Sequence, residues 1–363
     1  MRAFIIGGSG LVGRAVSRRL VGSGWTVDVF GRDPAHFPDE LSAAGVRFLA
    51  GDRSDSAALS AAFGGGADLL VDCVCFTARH AEALLPLARA ASSTAMISSK
   101  AVYVDAAGRH SNSEEPPCFV EPVTETQPTL EPGDMDFNSR AGYGPNKVAA
   151  ERVLLESGLP VSVLRPSKIH GEGARPPREW IFVKRVLDRR PAILLAHRGR
   201  GVEHTTAAAN VAALVELVAA KPATRILNAA DPDAPSGLEI ARTVARHLGH
   251  TWREVLLDDD APRELGRHPW DRPCPFTLDT TAAVALGYEP VGDYAATVVE
   301  EIDWLVRIAE RGDASRGDAS RGIGAGGVGG SRVDGVWLPA AYESHLFEGA
   351  FDYAAEDAFL AAQ

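Results

Sequence analysis

Apolar residues recur with two different periods along the first hundred positions, and the switching between them predicts strands interleaved with helices. Phe4–Gly7 is a short apolar strand, and Leu11–Val21 is a helix stopped by Gly22 and Gly24. Trp25–Phe30 and Val46–Ala50 read as strands, and Ser56–Phe63 as a helix. Leu69–Cys75 is a buried strand, Ala78–Ala91 an Ala/Leu-rich helix and Thr94–Ser98 a fifth strand. Strands separated by helices of this length imply right-handed β-α-β units and a parallel sheet. The predicted class is therefore α/β, a doubly wound parallel sheet followed by a smaller C-terminal lobe.

The pattern breaks at 105–140, where Pro116, Pro117, Pro122, Pro128 and Pro132 lie among many acids. This stretch reads as a long loop or lid over a site, with a disordered insertion as the alternative. Periodicity then resumes with helices at Tyr143–Glu156, Ala207–Ala219, Ser236–Leu248 and Ala295–Ile308, and strands at Pro160–Leu164, Arg225–Ala229 and Trp252–Leu257. From Arg311 the motif Arg-Gly-Asp-Ala-Ser repeats and runs into a glycine-rich stretch, which predicts a flexible linker over 311–332. The tail 333–363 carries Trp337, Tyr342, Phe347, Phe351, Tyr353 and Phe359, and so is expected to dock on its own domain or on a neighbouring subunit.

Composition narrows the function classes. No apolar run approaches the ~20 residues that span a bilayer. The N-terminus leads straight into a strand and turn instead of a signal peptide, so a cytoplasmic protein is expected. The 37 basic and 48 acidic residues leave a net charge of −11, which lacks the basic footprint of a nucleic-acid binder. Four cysteines do not make a disulfide framework. Cys73 and Cys75 are expected to share one strand face in the core. Cys118 and Cys274 have no His or Cys at ligand spacing, so no metal site is expected.

Gly7-Gly8-Ser9-Gly10-Leu11-Val12-Gly13 gives G-x-x-G-x-x-G between a strand and a helix. Glycines there let the backbone approach a pyrophosphate, and the helix N-terminus offers unpaired N–H groups and partial positive charge. Strand, turn and helix together point to a Rossmann dinucleotide site over 1–165. Residues 166–310 then supply a substrate lobe and the remaining Rossmann elements. The second strand ends Gly31-Arg32-Asp33. A guanidinium fits a ribose 2′-phosphate, so Arg32 favours NADP(H), while Asp33 leaves NAD(H) open.

Tyr143 and Lys147 are four apart, on one face of a predicted helix. An ammonium beside a phenol favours the phenolate, which makes a poor acid/base into a useful one. Ser98-Ser99-Lys100-Ala101-Val102-Tyr103 follows the fifth strand, and Leu164-Arg165-Pro166 ends the sixth. Together with the glycine turn, these motifs resemble the short-chain dehydrogenase/reductase superfamily, in its extended or atypical NAD-dependent epimerase/dehydratase branch, over residues 1–310. The resemblance implies that Tyr143 exchanges a proton with substrate and that Lys147 bonds the nicotinamide ribose. It implies that Ser99 holds the substrate oxygen, with Ser98 as its alternative. Asp52 and Arg53 would meet the adenine end, although Asp52 also reads as a helix cap. Cys73 and Val74 would line the cofactor, and Pro166 and Ile169 would lie beside the nicotinamide. Pairing through helices beside the sheet would give a homodimer.

The chain also departs from the family pattern. Dehydratases of nucleotide sugars carry Asp-Glu where Lys100 and Ala101 stand, and Glu203 replaces an arginine that meets the diphosphate. Arg175, Arg178, Lys184, His204 and His170 remain candidates for another polar substrate. The expected activity is an NADP(H)-dependent oxidoreductase acting on a carbonyl or secondary alcohol of a small molecule. Two alternatives stand beside it. One is an epimerase or dehydratase with tightly held NAD and a sugar-like substrate; the other is a non-catalytic NAD(P)-binding regulator.

Overall fold

A computed structural model of the chain describes residues 1–34, 37–317, 330–333, 336–339, 347 and 349–362. Its elements run β1 (Arg2–Ile6), α1 (Leu11–Gly22), β2 (Thr26–Gly31), α2 (Asp39–Ala43), β3 (Arg47–Ala50), α3 (Ser56–Phe63), β4 (Ala67–Asp72), α4 (Ala78–Arg89), β5 (Ala91–Ile97), α5 (Arg140–Leu155) and β6 (Val161–Pro166). They continue with β7 (Lys168–His170), α6 (Trp180–Leu187), β8 (Ala192–Leu195), β9 (Thr205–Ala207), α7 (Ala208–Ala220), β10 (Arg225–Ala229), α8 (Gly237–His247) and β11 (Arg253–Leu256). The last are α9 (Thr281–Ala285), α10 (Tyr294–Thr297), α11 (Val299–Gly317), β12 (Gly330–Val333), β13 (Val336–Pro339) and α12 (Tyr353–Ala361). The chain forms two compact units, Met1–Ile169 with His204–Asp233 and Cys274–Tyr294, and His170–Glu203 with Ala234–Pro273 and Ala295–Gln363.

The first unit is built on a seven-stranded sheet ordered β10-β6-β5-β4-β1-β2-β3, with every pair parallel. Alternate residues of each strand face opposite sides. Ala3 and Ile5 of β1 join Val27, Val29, Leu69 and Val71 against Val16 and Leu20 of α1 and Val211, Leu214 and Val218 of α7. Phe4 and Ile6 join Phe30, Leu70 and Met96 against Leu59 and Phe63 of α3, Leu84 and Leu87 of α4, and Leu154 of α5. With both faces covered, the strands read as near-continuous apolar runs. Val12, Val16 and Leu20 lie one helical turn apart, which is why this stretch is an amphipathic helix; burying each is worth about 1.5–3 kcal/mol. The strand order reverses between β1 and β4, so the crevice at their carboxyl ends is the topological switch point.

β4 ends at Asp72, short of the predicted Cys75. Cys73 and Cys75 therefore lie in the turn beyond the strand, and they do not share a face. Cys73 packs against the α1/α7 side and Cys75 against the α3/α4/α5 side. Burial, helped by the Asp72 charge, pushes both thiols up to about 12, so they serve as inert core residues.

The 105–139 stretch is part of the first unit and packs within it. Val104 N–H donates to Pro128 O and Leu130 N–H to Val102 O, both at about 2.9 Å or less. Val123 bridges Leu278, and the two join Tyr103, Val148 and Phe276 in a separate apolar cluster. Cys118 and Cys274 form a disulfide across 156 residues, a pairing that no short spacing in the sequence signals.

Asp105 anchors the near end of this stretch. Burial opposes its charge, but N–H groups of Cys118, Arg109 and Ala107 and the Arg109 guanidinium outweigh that and hold the carboxyl at about 2. A depressed carboxyl contributes stability above its unfolded pKa and loses it as pH falls through the folded one. Asp105→Asn is therefore expected to lower stability at pH 7 by about 1–2 kcal/mol, discounted because the carboxylate is covered by its own loop near the surface. In urea titrations the gap between wild type and variant should narrow as pH falls from about 5 toward 2; a gap independent of pH would reject this account.

In the second unit β8 pairs parallel with β11, and Ser236 and Glu239 form a reciprocal cap at the start of α8. The described part of the tail packs here. Glu356 of α12 meets Arg185 at 2.6 Å, and Phe359 and Leu360 contact a cluster of Leu194, Leu257 and Leu265. The linker expected from Arg311 begins later, because α11 continues to Gly317. The end of α11 takes in the first Arg-Gly-Asp-Ala-Ser copy, since five such residues carry no proline to stop a helix already under way. The remainder of the linker, 318–329, falls outside the described residues, as do Tyr342 and its neighbours at 340–346 in the tail, whereas β12 pairs antiparallel with β13. Among the described residues no helix is long and apolar enough to cross a membrane.

Candidate functional site

The glycine turn sits at the switch point between β1 and α1. Gly7 has φ +79°, a left-handed conformation that glycine adopts without strain, and its carbonyl receives the Gly10 N–H at 3.2 Å. A Cβ on Gly13 would lie 2.4 Å from Gly8 Cα, so the helix is packed against the turn as closely as backbone allows. A Cβ on Gly10, by contrast, would approach only Gly7 O, at 3.4 Å. That side is open, and no side chain caps the N-terminus of α1. The N–H groups of Leu11, Val12 and Gly13 are therefore left for an anion, and the turn fits a dinucleotide pyrophosphate.

Arg32 is exposed just beyond β2. A Cβ on Gly31 would sit 3.8 Å from Ser9 Oγ, so the Ser9 hydroxyl lies beside the end of β2, which Arg32 follows in the chain. Asp52, after β3, accepts from Ser54 N and Oγ at 2.8 and 2.7 Å. Those two bonds, with the charges of Arg32 and Arg53, lower its pKa. The cap of α3 is Asp55, which accepts from Ala57 and Ala58, so Asp52 is not the helix cap. Arg53 turns away from the β2 end. It pairs with Asp72 at 2.9 Å and donates to His80 O at 3.0 Å, while Asp72 also accepts from Val74 N at 2.9 Å. Its evident job is to pin the Cys73–Val74 turn.

The structure brings the three predicted catalytic residues to the carboxyl ends of β4 and β5. Ser139 caps α5 through Gly142 N–H and aims its first turn, where Tyr143 lies half-buried. One turn on, Lys147 is 2% exposed. Its Nζ donates to Cys75 O at 2.9 Å, in the turn beyond β4, and to Ile97 O at 2.8 Å, at the end of β5. One of its three N–H groups remains. Ser99 is half-buried, two residues past Ile97; its Oγ accepts from Ala101 N at 3.1 Å, and its O–H is left to donate.

Ser98 is committed elsewhere. Its hydroxyl donates to Glu151, which also receives the Arg165 guanidinium at 2.5 Å. Arg165 lies over the Tyr103 ring, whose O–H donates to Asn228 Oδ1 at 2.7 Å. Glu125 of the 105–139 stretch accepts from Asn228 N–H, so this buried network ties that stretch to β10. Burial resists charge on Arg165, but Glu151 outweighs it and raises its pKa. No motif in the sequence marks Glu151 or Arg165 as a polar anchor. A charged residue inside the run Val161–Leu164-Arg165 was the available signal, because a buried guanidinium demands a partner.

The other candidates scatter. Pro166 ends β6 opposite Ala229, and Ile169 packs against the α1/α7 face. Both ring nitrogens of His204 meet backbone, Asp231 O at 2.9 Å and Leu278 N at 3.0 Å, so it is structural and not a substrate contact. In the second unit Glu203 pairs with Arg272 at 3.2 Å, and Lys184 pairs with Asp188 and lies 5.2 Å over Phe351. Lys184 is therefore not offered to substrate either. Arg175 is exposed, and burial lowers the pKa of Arg178. Among the described residues no group of three or more His, Cys, Asp or Glu is placed to hold a metal.

Residues 3–230 match the profile of the NAD dependent epimerase/dehydratase family. No curated protein matches the chain in sequence. Among solved structures it is similar to dTDP-glucose 4,6-dehydratase from Bacillus anthracis str. Ames in complex with NAD, at 15% identity and a TM-score of 0.62, covering 85% of this chain and 98% of that one. It is also similar to UDP-glucose 4-epimerase from Thermotoga maritima with UDP-glucose, at 16% identity and 0.63, covering 85% and 99%. A third is UDP-glucose-4-epimerase from Stenotrophomonas maltophila with bound NAD and formylated UDP-arabinopyranose, at 16% and 0.65, covering 86% and 99%. At these identities the likeness shows a shared fold.

Proposed function

Because the chain belongs to the NAD dependent epimerase/dehydratase family, we propose that it is an NADP(H)-dependent oxidoreductase that reduces a ketone or oxidises a secondary alcohol of a small-molecule metabolite. The observation that carries this reading is the placement of Lys147, its ammonium held between the ends of β4 and β5 one turn from Tyr143 and beside the Ser99 turn. The glycine turn, Gly7 to Gly13 with Ser9, would hold the pyrophosphate, Asp52 the adenine end, and the backbone of Cys73 and Val74 the middle of the cofactor. Pro166 and Ile169 would flank the nicotinamide. When bound, the nicotinamide supplies hydride exchange with the substrate carbon.

The protein's own groups handle the oxygen. Ser99 O–H donates to it and fixes its position, and in the reducing direction Tyr143 gives it a proton. Lys147, with its remaining N–H, holds the ribose and keeps positive charge beside the phenol. For the cofactor choice, Ser9 and Arg32 at the end of β2 support a 2′-phosphate. Arg32→Ser is expected to weaken NADPH binding about 10–100-fold and leave NADH nearly unchanged, since a charge-assisted bond to phosphate is worth about 1.5–3 kcal/mol. Fluorescence titration with both nucleotides checks this; equal losses for both would reject the 2′-phosphate assignment.

The family match also supports a second reading, an epimerase or dehydratase that keeps NAD bound through a cycle of oxidation and reduction. Purified protein that carries cofactor and turns over without added nucleotide would favour it. Dependence on added NADPH with a carbonyl substrate would favour the first. Lys100, in the place of the dehydratase acid, weighs against dehydration.

A further inference from the structure

Phe76 has no assigned role, yet it touches the proposed machinery on several sides. Lys147 Nζ lies 4.5 Å from the centroid of its ring. Phe137, from the 105–139 stretch, stacks on the same residue at 5.2 Å with planes 7° apart. The Tyr143 ring lies 6.3 Å away. The backbone of Phe76 is fixed as well, because its N–H donates to His80 Nδ1 at 3.2 Å. Burial, and then the charge of Arg53, lowers the pKa of His80, which favours the neutral ring that this acceptor role requires. Arg53 in turn holds His80 O, and Thr77 Oγ1 caps His80 N–H.

From this geometry we propose that Phe76 is a positioning residue, its ring face holding the Lys147 ammonium in place beside Tyr143, with Phe137 backing the ring. The physical basis is the attraction of a desolvated cation to an aromatic face. The carbonyls of Cys75 and Ile97 take two N–H groups of the Lys147 head, and the Phe76 ring adds an aromatic face 4.5 Å from the same nitrogen. Such a face attracts the charge without supplying a lone-pair acceptor. The stack also links the 105–139 stretch to the catalytic helix, because Phe137 lies two residues before the Ser139 cap of α5. The catalytic part of this inference rests on the oxidoreductase reading; the contact itself does not.

The test is a double-mutant cycle on full-length protein. Phe76→Leu is expected to lower kcat about tenfold while the Kd for NADPH changes less than about threefold; Phe76→Trp, which keeps a ring face, should restore most of kcat. In a Lys147→Met background, Phe76→Leu should add nothing. Equal losses with and without Lys147 would overturn the proposal, because Phe76 would then act only through packing. A second readout is independent of turnover. The ε-methylene protons of isotope-labelled Lys147 should be ring-current shifted in wild type and lose that shift in Phe76→Leu. Absence of the shift also overturns the proposal, whereas a shift in a protein that turns over no carbonyl or alcohol sinks the oxidoreductase reading and leaves the positioning contact standing.

Discussion

Replacing Tyr143 by phenylalanine is expected to cut turnover by about 10²–10⁴-fold, the range for losing a positioned acid/base, while NADPH binds as before. That corresponds to roughly 3–5.5 kcal/mol of lost transition-state stabilisation. The substitution removes one oxygen and leaves the ring that lies 6.3 Å from Phe76. The helix should not move, because it is set by the Ser139 cap and by the Lys147 bonds to Cys75 O and Ile97 O. Loss of turnover with unchanged cofactor affinity is thus the signature of lost proton transfer. Steady-state nucleotide oxidation and fluorescence titration measure the two quantities separately. Turnover within a few-fold of wild type would remove Tyr143 from the mechanism and, with it, the proposed chemistry.

The second large effect concerns the Cys118–Cys274 disulfide. Replacing both cysteines by serine is expected to destabilise the protein by about 5 kcal/mol, by the chain-entropy argument for a loop of this length. The bridge closes 156 residues of chain, and it does so beside the Phe119–Phe276 contact at 5.2 Å that holds the 105–139 stretch to segment 274–294. Dithiothreitol should reproduce the effect in the wild type and do nothing further to the double variant. Cys73, half-buried, and Cys75, buried, do not complicate the result, since desolvation pushes both thiols up to about 12. Equal urea midpoints for oxidised wild type and the double variant would show that the bridge contributes no stability. In a reducing compartment the less stable dithiol form would prevail, so the same experiment states what a cytoplasmic location would cost the fold.

The contrast between these two sites shows what was legible. Tyr143 and Lys147 are four apart on one helix, and local geometry alone places them on a common face. The glycine turn is equally local, for strand, turn and helix fall within the first 22 residues. The parallel sheet follows from periodicity repeated strand by strand, and the match to the predicted Ser56–Phe63 helix is complete. A short-range pattern was enough in each case, because backbone hydrogen bonding and the pleat act over a few residues.

What the sequence by itself determined, then, is the doubly wound core, the glycine turn between β1 and α1, and the place of Tyr143 and Lys147 one turn apart on α5. Only the tertiary structure decided where charges and sulfurs find partners. Cys118 meets Cys274 across 156 residues, Ser98 and Arg165 both donate to Glu151, and Arg53 is turned to Asp72. It also decided that Cys73 and Cys75 part to opposite faces, since the strand ends before them, and that Phe76 meets Phe137 beside Lys147. These contacts join segments from 14 to 156 residues apart, and their energies arise from burial and from the geometry between elements. No local period encodes them; they exist once the sheet has ordered its strands and brought their carboxyl ends to one edge.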